Sequence, residues 1–159
     1  MSAARGVVDV SVDGVPAPPW RKRLASFCPR VLSLIGVEAW DIAILLCGDE
    51  RMTELNTRYR AKARPTDVLS FPREEASDLA SIHGDLALCL DAMRRNALRF
   101  GVSEDDELKR LIVHGLLHLA GMDHGRGKGR KMLTLQEKLL SDLGGQKIME
   151  TARTGRGSS

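Results

Sequence analysis

The stretch His114-Gly115-Leu116-Leu117-His118-Leu119-Ala120-Gly121-Met122-Asp123-His124 constrains this chain more than any other. Its first two imidazoles are four residues apart, which on a helix puts them on one face about one turn apart. Gly121 can end that helix in the left-handed conformation and turn the chain back, bringing His124 to the same point. Three imidazoles converging on one spot, with a fourth position left open, form a catalytic rather than a structural zinc site. His114, His118 and His124 are therefore the candidate metal ligands, and one Zn2+ per chain is the candidate cofactor. Two histidines on a helix are often ordinary, partly buried residues. The third, set behind a glycine turn, argues against that reading, as does the crowding of three of the chain's four histidines into this one stretch.

The spacing H-x-x-x-H-x-x-G-x-x-H is also that of the metzincin proteases. Those enzymes carry Glu directly after the first His, as the base that deprotonates the metal-bound water. Here the position is Gly115, which has no side chain. The ligand geometry is protease-like and the protease's base is missing.

A chain of 159 residues, 43% hydrophobic and 28% charged, is sized and composed for one soluble globular domain with a real core. Residues 1–150 are expected to form that single hydrolase domain, and residues 151–159 a disordered basic tail. No apolar run approaches the roughly 18 residues needed to span a membrane, and the N-terminus lacks a signal-peptide core. Cys28, Cys47 and Cys89 are widely spaced, odd in number and without a C-x-x-C pair, as expected of reduced packing residues in a cytoplasmic protein. A net charge of +3 does not by itself imply nucleic acid. Its distribution says more: Arg58, Arg60, Lys62 and Arg64 are clustered, and a second basic group runs from Arg126 to Lys131.

Periodicity predicts strands over Val7–Val12, Trp40–Cys47, Asp67–Phe71 and Gly84–Leu90. It predicts helices after Pro19, from Asp49 through Tyr59 with Asp49 as cap, from Asp91 to near Gly101, over Glu104–Leu119, and over about Lys128–Leu143. Ser103 followed by Asp106 has the form of a capping box. Residues 73–83 read as a polar, mobile loop. The expected fold is α+β: a single four-stranded mixed sheet packed with about five helices. The metal site would lie on a core helix and the turn after it.

A second motif lies upstream, L-N-T-R-Y-R-A-K-A-R-P-T-D-V-L-S-F-P over residues 55–72. By itself it is a helix end, a basic loop fixed by Pro65 and a strand stopped by Pro72, with Thr66 and Asp67 organising the turn. Taken with H-G-x-L-H-L-x-G-x-D-H, and with Gly84-Asp85-Leu86 as a G-D-[IL] strand, it resembles the bacterial YbeY family of metal-dependent endoribonucleases. The resemblance covers roughly residues 40–140 in order and spacing. It implies a zinc-dependent, single-strand-specific RNA hydrolase acting in ribosomal RNA maturation, at the 3′ end of the small-subunit RNA, and in ribosome quality control. The implied partners are single-stranded RNA, ribosomal RNA and the small ribosomal subunit. The family's three metal ligands map onto His114, His118 and His124, its arginine onto Arg60 and its nearby lysine onto Lys62. Met122 departs from the family's usual His or Tyr, Ala63 from its frequent Asp, and the basic segment 125–131 from a commonly acidic one.

Zinc on neutral imidazoles lowers the pKa of bound water towards about 7. A guanidinium can pair with two phosphoryl oxygens as negative charge builds on them. Arg60 is the candidate for that catalytic role, with Lys62 and Arg64 gripping neighbouring phosphates. Asp123 could orient an imidazole or end the helix, and His83 reads as surface decoration near a loop. Two other functions compete: a metallopeptidase-like hydrolase, favoured by ligand spacing and opposed by Gly115, and a non-catalytic ribosome assembly factor with a structural metal.

Overall fold

The structure is a computed structural model that describes residues 5–73, 81–122 and 128–149. Asp123, His124, Arg126, most of the 73–83 segment and the tail from residue 150 lie outside the described residues. The element order is β1 (Arg5–Asp13), α1 (Arg21–Leu34), β2 (Ala39–Cys47), α2 (Asp49–Arg60), β3 (Val68–Pro72), β4 (Ser81–Cys89), α3 (Leu90–Phe100), α4 (Glu104–Leu119) and α5 (Lys128–Asp142). The strands form one sheet in the order β1-β2-β4-β3, parallel except for the antiparallel edge strand β3. The mixed α+β fold read from the sequence is the one observed.

Alternation along the strands sorts the residues between two faces. Ile42, Ile44 and Leu46 of β2 and Ile82, Leu86 and Leu88 of β4 join Leu24, Val31, Leu111, Ile112 and Leu116 in the main core. The opposite face carries a smaller cluster of Cys47, Leu69, Ala87 and Cys89, covered by Met52 and Leu55 of α2. Each large apolar side chain buried in this way stabilises the fold by about 1.5–3 kcal/mol. All three cysteines are free and buried, and burial pushes the Cys28 thiol up to about 12, so it stays a neutral packing group.

Two expectations need correction. Asp49 does not cap α2: the cap position is Gly48, and the Asp49 N–H donates instead to Asp91 Oδ2 at 2.9 Å. Glycine offers no acceptor, so the neighbouring helix start supplies one from across the fold. Strand β4 also begins at Ser81, inside the expected loop, because parallel pairing with β2 continues from Ala39↔Ser81 onwards. Ser103 does cap α4, its Oγ accepting the Asp106 N–H at 3.0 Å. The acidic first turn Glu104–Glu107 adds a favourable interaction with the helix dipole.

Helix α4 lies directly on β3 and β4, and a glycine permits it. A Cβ on Gly84 would stand 2.6 Å from Leu119 Cδ2 and 3.1 Å from the Phe71 carbonyl oxygen. The carbonyl cannot move without shifting the edge strand. Gly84→Ala is therefore expected to lower stability by about 1–3 kcal/mol, measured by urea unfolding. An unchanged midpoint would mean that α4 can lift from the sheet freely.

Candidate active site

Of the three histidines, the described residues hold His114 and His118, both on α4. Their Nε2 atoms are 3.2 Å apart. Two nitrogens on a tetrahedral zinc, each bonded at 2.0–2.1 Å, stand about 3.3 Å apart. The pair is therefore spaced to hold such an ion. Its protonation pattern fits as well: His114 Nδ1 lies 2.9 Å from the Gln136 side-chain oxygen. That oxygen can only accept, so Nδ1 carries the hydrogen and Nε2 keeps the lone pair a metal needs. After α4 the chain turns at Gly121, with φ +91°. The Gly121 N–H reaches the His118 carbonyl at 2.9 Å, and the Met122 N–H reaches the Leu117 carbonyl at 3.1 Å. This is a Schellman turn, and Met122, packed on the core, is its apolar closing residue. The next residues, Asp123 and His124, lie outside the described ones.

Arg60, the last residue of α2, faces the imidazole pair across a cleft of about 460 Å³ that Thr66–Ser70 also line. Lys62 and Arg64 are not among the residues lining it. They sit exposed on the loop that follows, which is folded back onto α2 by Asn56. That residue is buried, and its Nδ2 donates to the Arg64 carbonyl at 2.9 Å. The sequence grouped four basic side chains; the fold brings one of them to the histidines. Ala61, immediately after Arg60, adopts the left-handed φ of +57° usually left to glycine. Such a residue costs about 1–2 kcal/mol, a strain held at the edge of the cleft.

Gly115 faces away from the cleft. A Cβ there would meet Leu86 Cδ2 at 2.9 Å and Val68 Cγ2 at 3.4 Å. A glutamate at this position would be driven into the sheet, so the protease's base has no counterpart for steric reasons. Asp67 is the one carboxylate lining the cleft among the described residues. It is held in place: Oδ1 accepts the Val68 N–H at 2.8 Å, and Oδ2 accepts Asn96 Nδ2 at 3.1 Å. Asn96 also donates to the buried Glu107, itself paired with Arg110 at 2.8 Å. Asp67 thus organises the turn and the cleft wall. His83 lies on the opposite face of β4, its ring nitrogen 2.8 Å from Ser81 Oγ.

A second set of donors could hold a metal, away from the histidines: ligand atoms of Asp49, Cys89 and Asp91 all lie within 4.8 Å of one another. Their present partners give them another role. Arg95 clamps Asp49 with bonds of 2.7 and 2.9 Å and holds its carboxyl below the ordinary range. Asp91 accepts the Asp49 N–H. Burial pushes the Cys89 thiol up to about 12, so it remains protonated and donates to Asp49 at 3.2 Å. The group ties the first turns of α2 and α3 together.

The profile of the family described as Endoribonuclease YbeY matches residues 15–144. The chain belongs to this family. An endoribonuclease YbeY of Treponema pallidum is 39% identical over 140 residues, covering 84% of this chain and 88% of the relative. That of Treponema denticola is 43% identical over 124 residues, covering 74% and 80%. The YbeY of Aquifex aeolicus is 37% identical, covering 77% and 83%. Among solved structures, the solution structure of TM1509 from Thermotoga maritima shares the fold, with a TM-score of 0.60, 22% identity, and 94% and 99% of the two chains covered. No helix among the described residues is long and apolar enough to cross a membrane.

Within this member of the family the sequence reading missed Gln136. Its signal was present: Met132, Gln136, Leu139 and Leu143 share one buried face of α5 and its end, and a single amide in an apolar stripe calls for a partner. Gln136→Leu removes the acceptor at similar volume. It is expected to mix the two neutral tautomers of His114 in metal-free protein, read from imidazole nitrogen shifts by NMR. One unchanged tautomer would show that another group orients the ring.

Proposed function

We propose that this chain is a zinc-dependent endoribonuclease that cleaves unpaired RNA, with ribosomal RNA as its substrate and the small ribosomal subunit as its partner. Residues 1–150 would act as one domain in the cytoplasm, with 151–159 as an appended tail. The observation that carries this reading is the facing of Arg60 and the His114–His118 pair across one cleft, in a member of an endoribonuclease family. Membership of the family supports a role for this cleft in ribosomal RNA maturation and ribosome quality control.

His114, His118 and, from the sequence, His124 would hold the metal. When bound, zinc supplies Lewis acidity and an acidified water. Gln136 keeps His114 in the ligating tautomer. Arg60 places a planar pair of N–H donors where the phosphoryl oxygens gain charge. Asp67, fixed by Asn96 and by the Val68 N–H, keeps the wall of β3 in register with α4. Lys62 and Arg64, out on the loop, would meet phosphates flanking the scissile one. A flexible single strand can bend into such a cleft, whereas a duplex cannot. A peptidase reading is disfavoured because position 115 points into the core.

Metal analysis is expected to give about one zinc per chain, mostly lost in His114→Ala, His118→Ala or His124→Ala. Wild-type protein that is folded and metal-free, and that cannot be loaded with zinc, would end this reading. Chelation should abolish cleavage of single-stranded RNA. Retained cleavage would leave the metal a structural role only.

Arg60→Ala is expected to lower turnover by roughly 10²–10³-fold without changing metal content. Arg60→Lys should restore little, because an ammonium cannot reproduce the planar fork. Near-normal rates in both variants would move Arg60 from catalysis to surface charge.

A further inference from the structure

On the far side of the edge strand from the histidines lies a cavity of about 250 Å³ that the cleavage chemistry does not use. Its most exposed wall is Tyr59, the only tyrosine of the chain, 58% accessible to solvent. Phe71 supports that ring edge-on, the two centroids 5.0 Å apart. Leu45, Leu55 and Ala87 supply apolar lining, and the half-exposed carboxylate of Asp85 is the polar group among them. Arg73 fixes this carboxylate, its Nε 3.2 Å from Asp85 Oδ1, while it also donates to the Asp41 and Gly84 carbonyls. The guanidinium offsets the negative charge that would otherwise repel a polyanion.

Position in the chain links this cavity to the cleft twice. Tyr59 directly precedes Arg60, and Phe71 directly follows Ser70. Successive residues of a strand point to opposite faces: Ser70 Oγ donates to the Gly115 carbonyl on the α4 side, so Phe71 lies on the other. The two sites therefore flank one narrow edge strand. A strand of RNA held by Arg60 needs only to pass over β3 to reach Tyr59.

We propose that this cavity is a nucleobase subsite, in which a base near the scissile phosphate stacks on Tyr59 and donates its N–H edge to Asp85. The inference rests on the proposed RNA substrate and adds a preference to it. An exposed aromatic face suits any base. A carboxylate accepts through two oxygens, which favours guanine, with its adjacent imino and amino N–H donors, over uracil, whose single imino N–H is flanked by carbonyl oxygens. Aromatic residues make up only 4% of the chain. The fold concentrates two of them beside the cleft.

The test is binding and crosslinking of short RNA single strands, one of uridines only and one with a guanosine inserted. Tyr59→Ala is expected to weaken binding about 10- to 100-fold, the range for loss of one stacked base. The slope of affinity against salt should be unchanged, because no phosphate contact is removed. Tyr59→Phe should bind within about twofold of wild type, since stacking needs the ring and not the hydroxyl. Asp85→Asn should erase the advantage of the guanosine strand. A 6-thioguanosine strand irradiated with wild-type protein should crosslink to the peptide containing Tyr59. Wild-type affinity in Tyr59→Ala, a flattened salt slope in that variant, or a crosslink confined to other peptides would overturn the subsite while leaving the endoribonuclease reading intact. Failure of wild-type protein to bind either strand would instead overturn the RNA reading itself.

Discussion

The contact between α4 and the β3–β4 edge of the sheet governs the rest of this structure. Gly84 and Gly115 sit on its two sides, and a methyl group at either would stand under 3 Å from a leucine of the opposing element. That closeness lets Ser70 bond the Gly115 carbonyl and lays the helix along the edge strand. His114 and His118, on the rim of this helix, then open towards the cleft walled by Thr66–Ser70. A helix held further from the sheet would leave the imidazoles apart from that wall and from Arg60.

The helix is rigid because its other sides are also fixed. Lys109 is fully buried and satisfied by the Leu143 carbonyl at 2.9 Å, at the end of α5. Asp105 accepts the N–H groups of Ile148 and Met149 at 2.8 and 2.7 Å, and Arg23 donates to their carbonyls. Buried without hydrogen bonds, Lys109 and Asp105 would cost several kcal/mol each; bonded to these backbone groups, they tie α5 and the segment after it to α4. The result reaches the site through Gln136, which only an accurately seated α5 can bring within 2.9 Å of His114. A ligand orientation on one helix is thus fixed by packing on another.

The edge strand β3 divides the chemistry. One face looks to the histidines and to Asp67, whose carboxylate is held through Asn96, Glu107 and Arg110. The other carries Phe71 against Tyr59. On the proposed reading, an edge strand leaves one side open to an extended substrate in a way that an inner strand does not. The strained Ala61 and the loop anchored by Asn56 set the end of α2 beside that edge, so Tyr59 and Arg60 serve opposite sides of it.

Much of this was legible in the chain alone. The bounds of α4 follow from Ser103 and from the leucines behind it, because capping and a 3.6-residue period are local properties. The turn at Gly121 is local as well, and so is the shared face of His114 and His118. His124 belongs to that reading of the sequence. The packing of helices on one mixed sheet follows from the alternation of apolar residues and their lengths. What the sequence could not determine is every relation between residues far apart along it. It assigned the α2 cap to Asp49, when Asp91 supplies the acceptor from 42 residues away. It grouped Arg60, Lys62 and Arg64 by proximity in the chain, when only the α2 end is turned to the cleft. It read Gly115 as a missing base, when the direction of that position into Leu86 and Val68 forbids one. Gln136 and the Tyr59–Phe71 pair were absent from it altogether. A spacing fixes which side chains share a face, but the hydrogen bond or ring contact made across that face depends on which element packs against it, and that is set by the tertiary fold.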